Sequence, residues 1–332
     1  MNIIYFTKRM DSYARAFYQF DFVTELSKKT TLFQYGPGFD YYNSLDKFSD
    51  IVAKSPWSDS GPDAVFFGHS WLEDNPLEEI DPFNFGEITD MPVYFFLNKE
   101  YSRLQEKIDV INSYNPTVVF SHHHNCEELL GKPIPFNTHF VPFAVDPGKF
   151  GPAVKTNDLF FSGILRNPTF PDTQPDDREL IQSLLFKVFK GIRIRTKTRY
   201  KVVWNSRANS NLINRFNRYQ RYSDAEYSSL MGSSKIVFNS LSPASLIGTR
   251  FFETMISKGI IFAPSNVNFV SFLKDGKNCV LFDGPMDFMD KLNQLMRDEV
   301  NTDKIASQAW TEATSSHCWS HRIDDVLEMM KI

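Results

Sequence analysis

Cysteine is scarce in this chain. Three residues, Cys126, Cys279 and Cys318, are spread over 332 positions. They are odd in number, far apart, and form no Cys-x-x-Cys pair. That speaks against a disulfide framework or a cysteine-built structural zinc, and fits a reducing compartment. Long apolar runs are missing too. No stretch approaches the ~18 residues of a membrane span. The opening "MNIIYFTKRMD" sets a short apolar run before two basic residues, whereas a secretory signal has a longer apolar region after the basic one. The expectation is a soluble, cytoplasmic protein, at most peripheral at a membrane. Neither sign of charge dominates: 36 basic and 40 acidic residues leave a net charge of −4. A nucleic-acid partner held by global charge is therefore not expected, though a local basic patch remains open. Three signature loops are absent as well. "YFTKRMDS" stands where a Gly-x-Gly-x-x-Gly turn would follow the first strand, there is no Walker loop, and there is no Asp-x-Asp pair. These absences lower the hydride-transfer and NTPase readings. They also lower the reading of a metal-held diphosphate.

Aromatic residues are plentiful: 15% of the chain, with 32 Phe. They can fill large cores or line clefts with rings. Apolar runs recur between helical or polar stretches: "NIIYF" (2–6), "TLFQYG" (31–36), "DAVFFGHS" (63–70), "PVYFFLN" (92–98), "TVVFSH" (117–122) and "THFVPFAV" (138–145). Helical periodicity covers 11–28, and a second helix is expected over 100–113. Apolar strands alternating with helices predict a parallel sheet covered on both faces. "DPGKFGPAVKTN" (146–157) has no period and reads as a linker. A second series follows with strands "DLFFSGIL" (158–165), "RYKVVWN" (199–205), "KIVFNS" (235–240), "GIIFAP" (259–264) and "CVLFD" (279–283). Helices are expected at 177–190, 223–231, 250–258 and 286–298, with two more over 302–331. The fold class is α/β, as two Rossmann-like doubly wound domains facing a cleft. The divisions are 1–150, 151–315, and a closing helix at 316–332 that could cross back to the first domain.

In doubly wound sheets ligands bind beyond the carboxyl ends of the strands. His69, in "FFGHSW", follows a strand and could be an acid/base or simply a satisfied residue. Lys99 and Glu100 follow the next, where Glu100 could serve as a base or merely favour a helix start. "SHHHN" (121–125) looks like a metal site. Consecutive residues on a loop point different ways, however, and no carboxylates complete a set, so an exposed or locally hydrogen-bonded loop is expected and no metal. In the second half Ser162 and Gly163 end a strand, with Arg166 three residues on. Gly248 and Thr249 precede a helix that begins near Arg250. Helix amides and an arginine make a pyrophosphate site. Glu253 lies one turn deeper on the same face, where it could hold a ribose diol or simply form a surface salt bridge.

The stretches "YSDAEYSSLMGSSKIVFNSLSP", "GTRFFETMISKGIIFAPSNVNFVSFLKDGKNCVLFD" and "KIASQAWTEATSSHCWSHRIDDVLEMM" resemble the C-terminal domain of GT-B glycosyltransferases, in particular the CgeB-like branch near glycosyltransferase family 4. There an Arg-x-Phe-Glu helix is followed by Gly and a strand. "HFVPFAVDPGKF" is similar to the family's interdomain segment. The resemblance implies a UDP- or GDP-sugar donor in the second domain, with Arg250 on the diphosphate and Glu253 on the ribose. Ser162, Gly163, Arg166 and Thr249 are the other expected nucleotide contacts. Family 4 usually carries a second Glu eight residues before the ribose-binding one; Ser245 stands there in this chain. The family also has a histidine after an N-domain strand. Asn98 stands near that place, so the role either moves to His69 or is absent. The expected function is transfer of a sugar from a nucleoside-diphosphate sugar to a hydroxyl of a glycan, lipid-linked or protein acceptor, without a metal or other cofactor. The alternatives are a non-catalytic nucleotide-sugar-binding protein and a sugar-nucleotide epimerase, both of GT-B fold.

Overall fold

The computed structural model describes residues 1–9, 17–72, 91–164, 202–207, 222–240, 246–266 and 272–330. The chain forms two compact units. The first comprises Met1–Pro142 and Trp319–Ile332, the second Phe143–Cys318.

The strands of the first unit are β1 (Asn2–Phe6), β2 (Thr31–Tyr35), β3 (Ala64–Phe67), β4 (Val93–Leu97), β5 (Val118–Ser121) and β6 (Thr138–Phe140). Its helices are α1 (Phe17–Lys29), α2 (Phe48–Lys54), α3 (Leu104–Ser113) and α4 (Cys126–Leu130). The strands pair in the order β2-β1-β3-β4-β5-β6, and every pairing is parallel. The central strands are runs without polar interruption because both faces of a parallel sheet are covered. All five residues of β4, VYFFL, are buried. The phenylalanine surplus is spent here. Phe67 stacks on Phe95 at 4.3 Å and on Phe6 at 4.8 Å on one face, and Phe66 lies parallel to Phe120 at 5.7 Å on the other. Alternate residues of one strand thus feed opposite cores.

The second unit holds β7 (Asn157–Ile164), β8 (Val202–Arg207), α5 (Asp224–Ser233), β9 (Ser234–Phe238), α6 (Thr249–Ile256), β10 (Ile260–Pro264), β11 (Val280–Phe282), α7 (Gly284–Arg297) and α8 (Glu299–Ser316). Its sheet, also parallel, runs β11-β10-β9-β7-β8. Phe161, Phe238 and Phe262 pack beneath Phe288 and Leu292 of α7. Phe160, Val237 and Ile261 face Phe251, Phe252 and Met255 of α6. The helix expected at 177–190 lies outside the described residues.

The last helix, α9 (Trp319–Met330), belongs to the first unit. Trp319 is 1% exposed and meets Phe22 of α1 edge-on at 6.0 Å. Lys29 pairs with Asp324, and the Tyr94 hydroxyl donates to Met330 O at 3.2 Å.

Two expectations need correcting. The stretch read as a linker from 146 does not divide the units; the division falls after Pro142. Val145 N donates to His317 O at 3.1 Å, and Val145 and Phe150 are buried in the core of the second unit. The helix expected from residue 100 starts at Leu104. Lys99 and Arg103 take left-handed φ values of 50° and 51°, which a helix does not accommodate.

Candidate functional site

In each sheet the strand order reverses once, and at that point a crevice forms outside the strand ends. In the first sheet the reversal lies between β1 and β3, in the second between β9 and β7. Each is taken within its own unit.

In the first unit, Gly68 and His69 follow β3, and Thr7, Lys8 and Arg9 follow β1. The two ends are stitched together: Thr7 Oγ1 and Ser70 Oγ lie 2.8 Å apart, and Lys8 N donates to Ser70 Oγ at 2.9 Å. A Cβ on residue 68 would lie 2.3 Å from the Tyr5 hydroxyl, so only glycine lets the loop close over β1. His69 is 1% exposed. It stacks on Phe96 with centroids 3.8 Å apart and lies 5.2 Å from the His122 ring. Asn98, at the end of β4, donates to His69 O at 3.4 Å and to the Tyr18 hydroxyl at 3.0 Å. Both ring nitrogens of His69 are buried without a hydrogen-bond partner. Burial, and then the neighbouring His122, hold its pKa well below the usual histidine value, so the ring is neutral. A cavity of about 220 Å³ reaches it, also lined by Thr7, Lys8, Arg9 and Gln19.

Glu100 is placed differently. Its Oε1 accepts from Ser121 Oγ at 2.7 Å, His122 N at 2.8 Å and His123 N at 3.1 Å. The carboxyl ties the loop after β4 to the end of β5, and burial raises its pKa. It does not line the cavity that His69 lines. In the triple histidine, His122 and His123 are buried and His124 is exposed. His122 Nδ1 meets Val141 O at 2.7 Å, and His123 Nδ1 accepts from Asn125 N at 3.0 Å. The expectation of a locally hydrogen-bonded loop describes these two, not the exposure of the whole run.

In the second unit, α6 starts at Thr249 with Gly248 as its N-cap. Phe251, Phe252, Met255 and Ile256 are its buried anchors. Lys258, at φ 53°, makes the left-handed turn that ends it, and Gly259 only follows. Arg250 is half-buried, and its Nε is buried without a partner. Glu253 is 6% exposed, which removes the surface-bridge reading of this residue. Its Oε2 accepts from the Tyr227 hydroxyl at 2.7 Å. The Arg250 guanidinium also reaches that hydroxyl, whose pKa is raised by burial first and by Glu253 next. Tyr227, on α5, therefore joins the two residues. It was missed in the sequence because no local spacing links it to α6. Phe150 packs edge-on against its ring at 6.0 Å and helps hold it.

Asn239, fully buried after β9, donates to Thr254 Oγ1 at 3.2 Å and fastens α6 to the sheet. Ser162 and Gly163 lie in β7, opposite Asn205 and Ser206 of β8; β7 and β9 flank the strand-order reversal. Arg166 and Ser245 lie outside the described residues. Among the described residues no three His, Cys, Asp or Glu side chains come together as metal ligands. Nor is any helix among them long and apolar enough to cross a membrane.

The chain has the fold of solved GT-B glycosyltransferases, two parallel-sheet α/β units. Residues 178–328 match the family described as glycosyl transferase-like. HepE from Anabaena, solved with UDP and glucose, superposes with a TM-score of 0.64 at 12% identity, over 99% of each chain. Sucrose-phosphate synthase from Thermosynechococcus elongatus gives 0.61 at 10% identity, over 100% of this chain and 98% of its own. A TarM variant from S. aureus, in complex with fondaparinux, α-GlcNAc-glycerol and UDP, gives 0.57 at 14% identity, over 81% of this chain and 55% of its own. No curated protein matches the chain in sequence.

Proposed function

We propose that the protein transfers a sugar from a nucleoside-diphosphate sugar to a hydroxyl acceptor, and that the donor binds in the second unit at the start of α6. The observation that carries this is the Arg250–Tyr227–Glu253 cluster, with the buried Arg250 Nε left without a partner at a helix N-terminus. A buried N–H is rarely left unmet in a protein, and a diphosphate oxygen would meet it. Glu253 is the natural acceptor for ribose hydroxyls. Solved HepE is in complex with UDP-glucose, which supports a UDP-sugar as the first donor to try.

In the reaction the bond from the sugar's anomeric carbon to the diphosphate oxygen breaks. A bond to the acceptor oxygen forms. The acceptor's proton passes to a base or to the departing diphosphate. Charge grows on the leaving group, where Arg250 and the first-turn amides of α6 stabilise it more in the transition state than in the ground state. Ser162, Gly163, Arg166 and Thr249 complete the proposed donor contacts. On the acceptor side His69 is the base candidate, because its ring is neutral and its nitrogens are unengaged. Glu100 is the weaker one, because three hydrogen bonds hold its Oε1. Glycan, lipid-linked and protein acceptors all supply the required hydroxyl.

With charge stabilisation assigned to Arg250 and helix amides, no metal step is required. Incubation with UDP-glucose or GDP-sugars and a panel of hydroxyl acceptors is expected to release nucleoside diphosphate, and the rate should persist in excess EDTA. Loss of activity on chelation, restored by manganese or magnesium, would refute the metal-free arrangement. Nucleotide binding without any release would favour the non-catalytic reading instead.

A further inference from the structure

The stretch 146–157, linker-like in sequence, lies along α5 and is bonded to it. Ser228 Oγ donates to Lys149 O near one end, and Thr156 N donates to Ser233 O at 2.9 Å near the other. Between them Ala153 N donates to Gly232 O at 3.2 Å. A Cβ on residue 232 would lie 2.6 Å from Gly151 O, so glycine there lets the two backbones approach this closely. The same stretch and the strand that follows it hold the Tyr227 ring: Phe150 and Phe160 each pack against it with centroids 6.0 Å apart.

Lys155, half-buried in this stretch, reaches a second helix as well. Its Nζ donates to Gly232 O, near the end of α5, at 2.8 Å, and to Ser257 O, the C-cap of α6, also at 2.8 Å. The last carbonyls of a helix have no partner within it and carry partial negative charge, so one ammonium answers two helix ends. Tyr227 stands on α5, and Arg250 and Glu253 stand on α6. Lys155 thus ties together, at their C-terminal ends, the two helices whose side chains meet in the cluster. Stability does not account for a lysine here. Burial, and then the neighbouring Lys258, push its pKa down to about 8. In the unfolded chain it titrates near 10.4, so the folded state holds this proton less well. The penalty is complete below pH ~8 and fades as pH rises toward the unfolded value. We propose that Lys155 is a positioning residue of the donor site, which sets α5 against α6 so that the Tyr227 hydroxyl meets Glu253 and Arg250. At 2.7 Å the Tyr227–Glu253 bond tolerates little displacement. The role at a donor site rests on the reading proposed above; the coupling of the two helices does not.

The test labels the protein with 3-fluorotyrosine and assigns the Tyr227 fluorine signal by its loss in Tyr227→Phe. In Lys155→Met that signal is expected to move, and UDP to bind about tenfold more weakly, because a small misplacement far from the ligand is enough. Lys155→Arg should restore both, and Val154→Ser, at a neighbour 81% exposed, should alter neither. If Lys155→Met does not fold, Lys155→Gln, which keeps an N–H donor, gives the same two readings. A lysine that only braced the fold would lower the melting temperature and leave the affinity of the folded protein as it was. That result, or an unmoved Tyr227 signal, overturns the proposal. Arg250→Ala, titrated alongside, reports on the donor reading by itself. If Arg250→Ala loses UDP and Lys155→Met does not, the positioning role falls and the donor reading stands. If the parent binds no UDP while the Tyr227 signal moves in Lys155→Met, the coupling of α5 to α6 stands and the donor reading falls.

Discussion

Arg250→Ala is expected to weaken a nucleoside diphosphate by roughly 1.5–3 kcal/mol, about ten- to over a hundredfold, and to leave the free nucleoside nearly unchanged. The guanidinium is proposed to meet the diphosphate, which the nucleoside lacks. Because the leaving group gains charge in the transition state, kcat should fall along with affinity. Glu253 acts on the other half of the ligand. Replacing it should weaken nucleoside and nucleoside diphosphate alike, because both present the ribose diol. Glu253→Ala would also strand the Tyr227 hydroxyl in the interior, at a cost of about 1–3 kcal/mol of stability. Glu253→Gln keeps an acceptor for that hydroxyl and separates binding from folding. Titrating uridine and UDP against folded Arg250→Ala and Glu253→Gln decides the matter. If both ligands bind both variants as they bind the parent, the cluster only braces α5 against α6.

Stability should fall steeply as pH drops from about 7.5 to 5. His69 and His122 are both fully buried, and their pKa values are depressed, that of His122 to about 3. In the unfolded chain each titrates near 6.5. Below that pH the unfolded state binds protons that the folded state refuses, so protonation favours unfolding. The contribution is complete above pH ~6.5 and is lost as pH falls below it toward the folded value. Each ring adds a slope approaching ~1.36 kcal/mol per pH unit, about 2.7 for the pair. Glu100 acts with the opposite sign, because its raised pKa favours the folded state as the carboxyl takes up a proton. Urea unfolding at pH 7.5, 6 and 5 measures the slope, and His122→Gln should remove about half of it. A parent protein equally stable across this range would show that the rings are not held neutral.

The strands were legible because each is a short apolar run, and packing on both faces of a parallel sheet demands that. Val93–Leu97 and Ile260–Pro264 could be read almost to the residue. Helix starts were less legible. Nothing in "NKEYSR" announces that Lys99 and Arg103 turn left-handed, or that the Glu100 carboxyl between them reaches backbone amides some twenty residues away. The unit boundary failed for a similar reason. Val145 and Phe150 sit among Pro and Gly, but their side chains are claimed by a distant core. At the site, Arg250 and Glu253 stand one helical turn apart, so spacing exposed them. Tyr227 and Gln19 come from other helices, and only folding brings them to Glu253 and to the cavity beside His69.

The central claim is that a nucleoside diphosphate binds the second unit at the first turn of α6. A crystal structure with UDP tests it most directly. The account predicts the diphosphate within hydrogen-bond reach of Arg250, including its buried Nε, and the ribose hydroxyls on Glu253. Nucleotide found only in the first unit, or bound with Arg250 and Glu253 untouched, would contradict it.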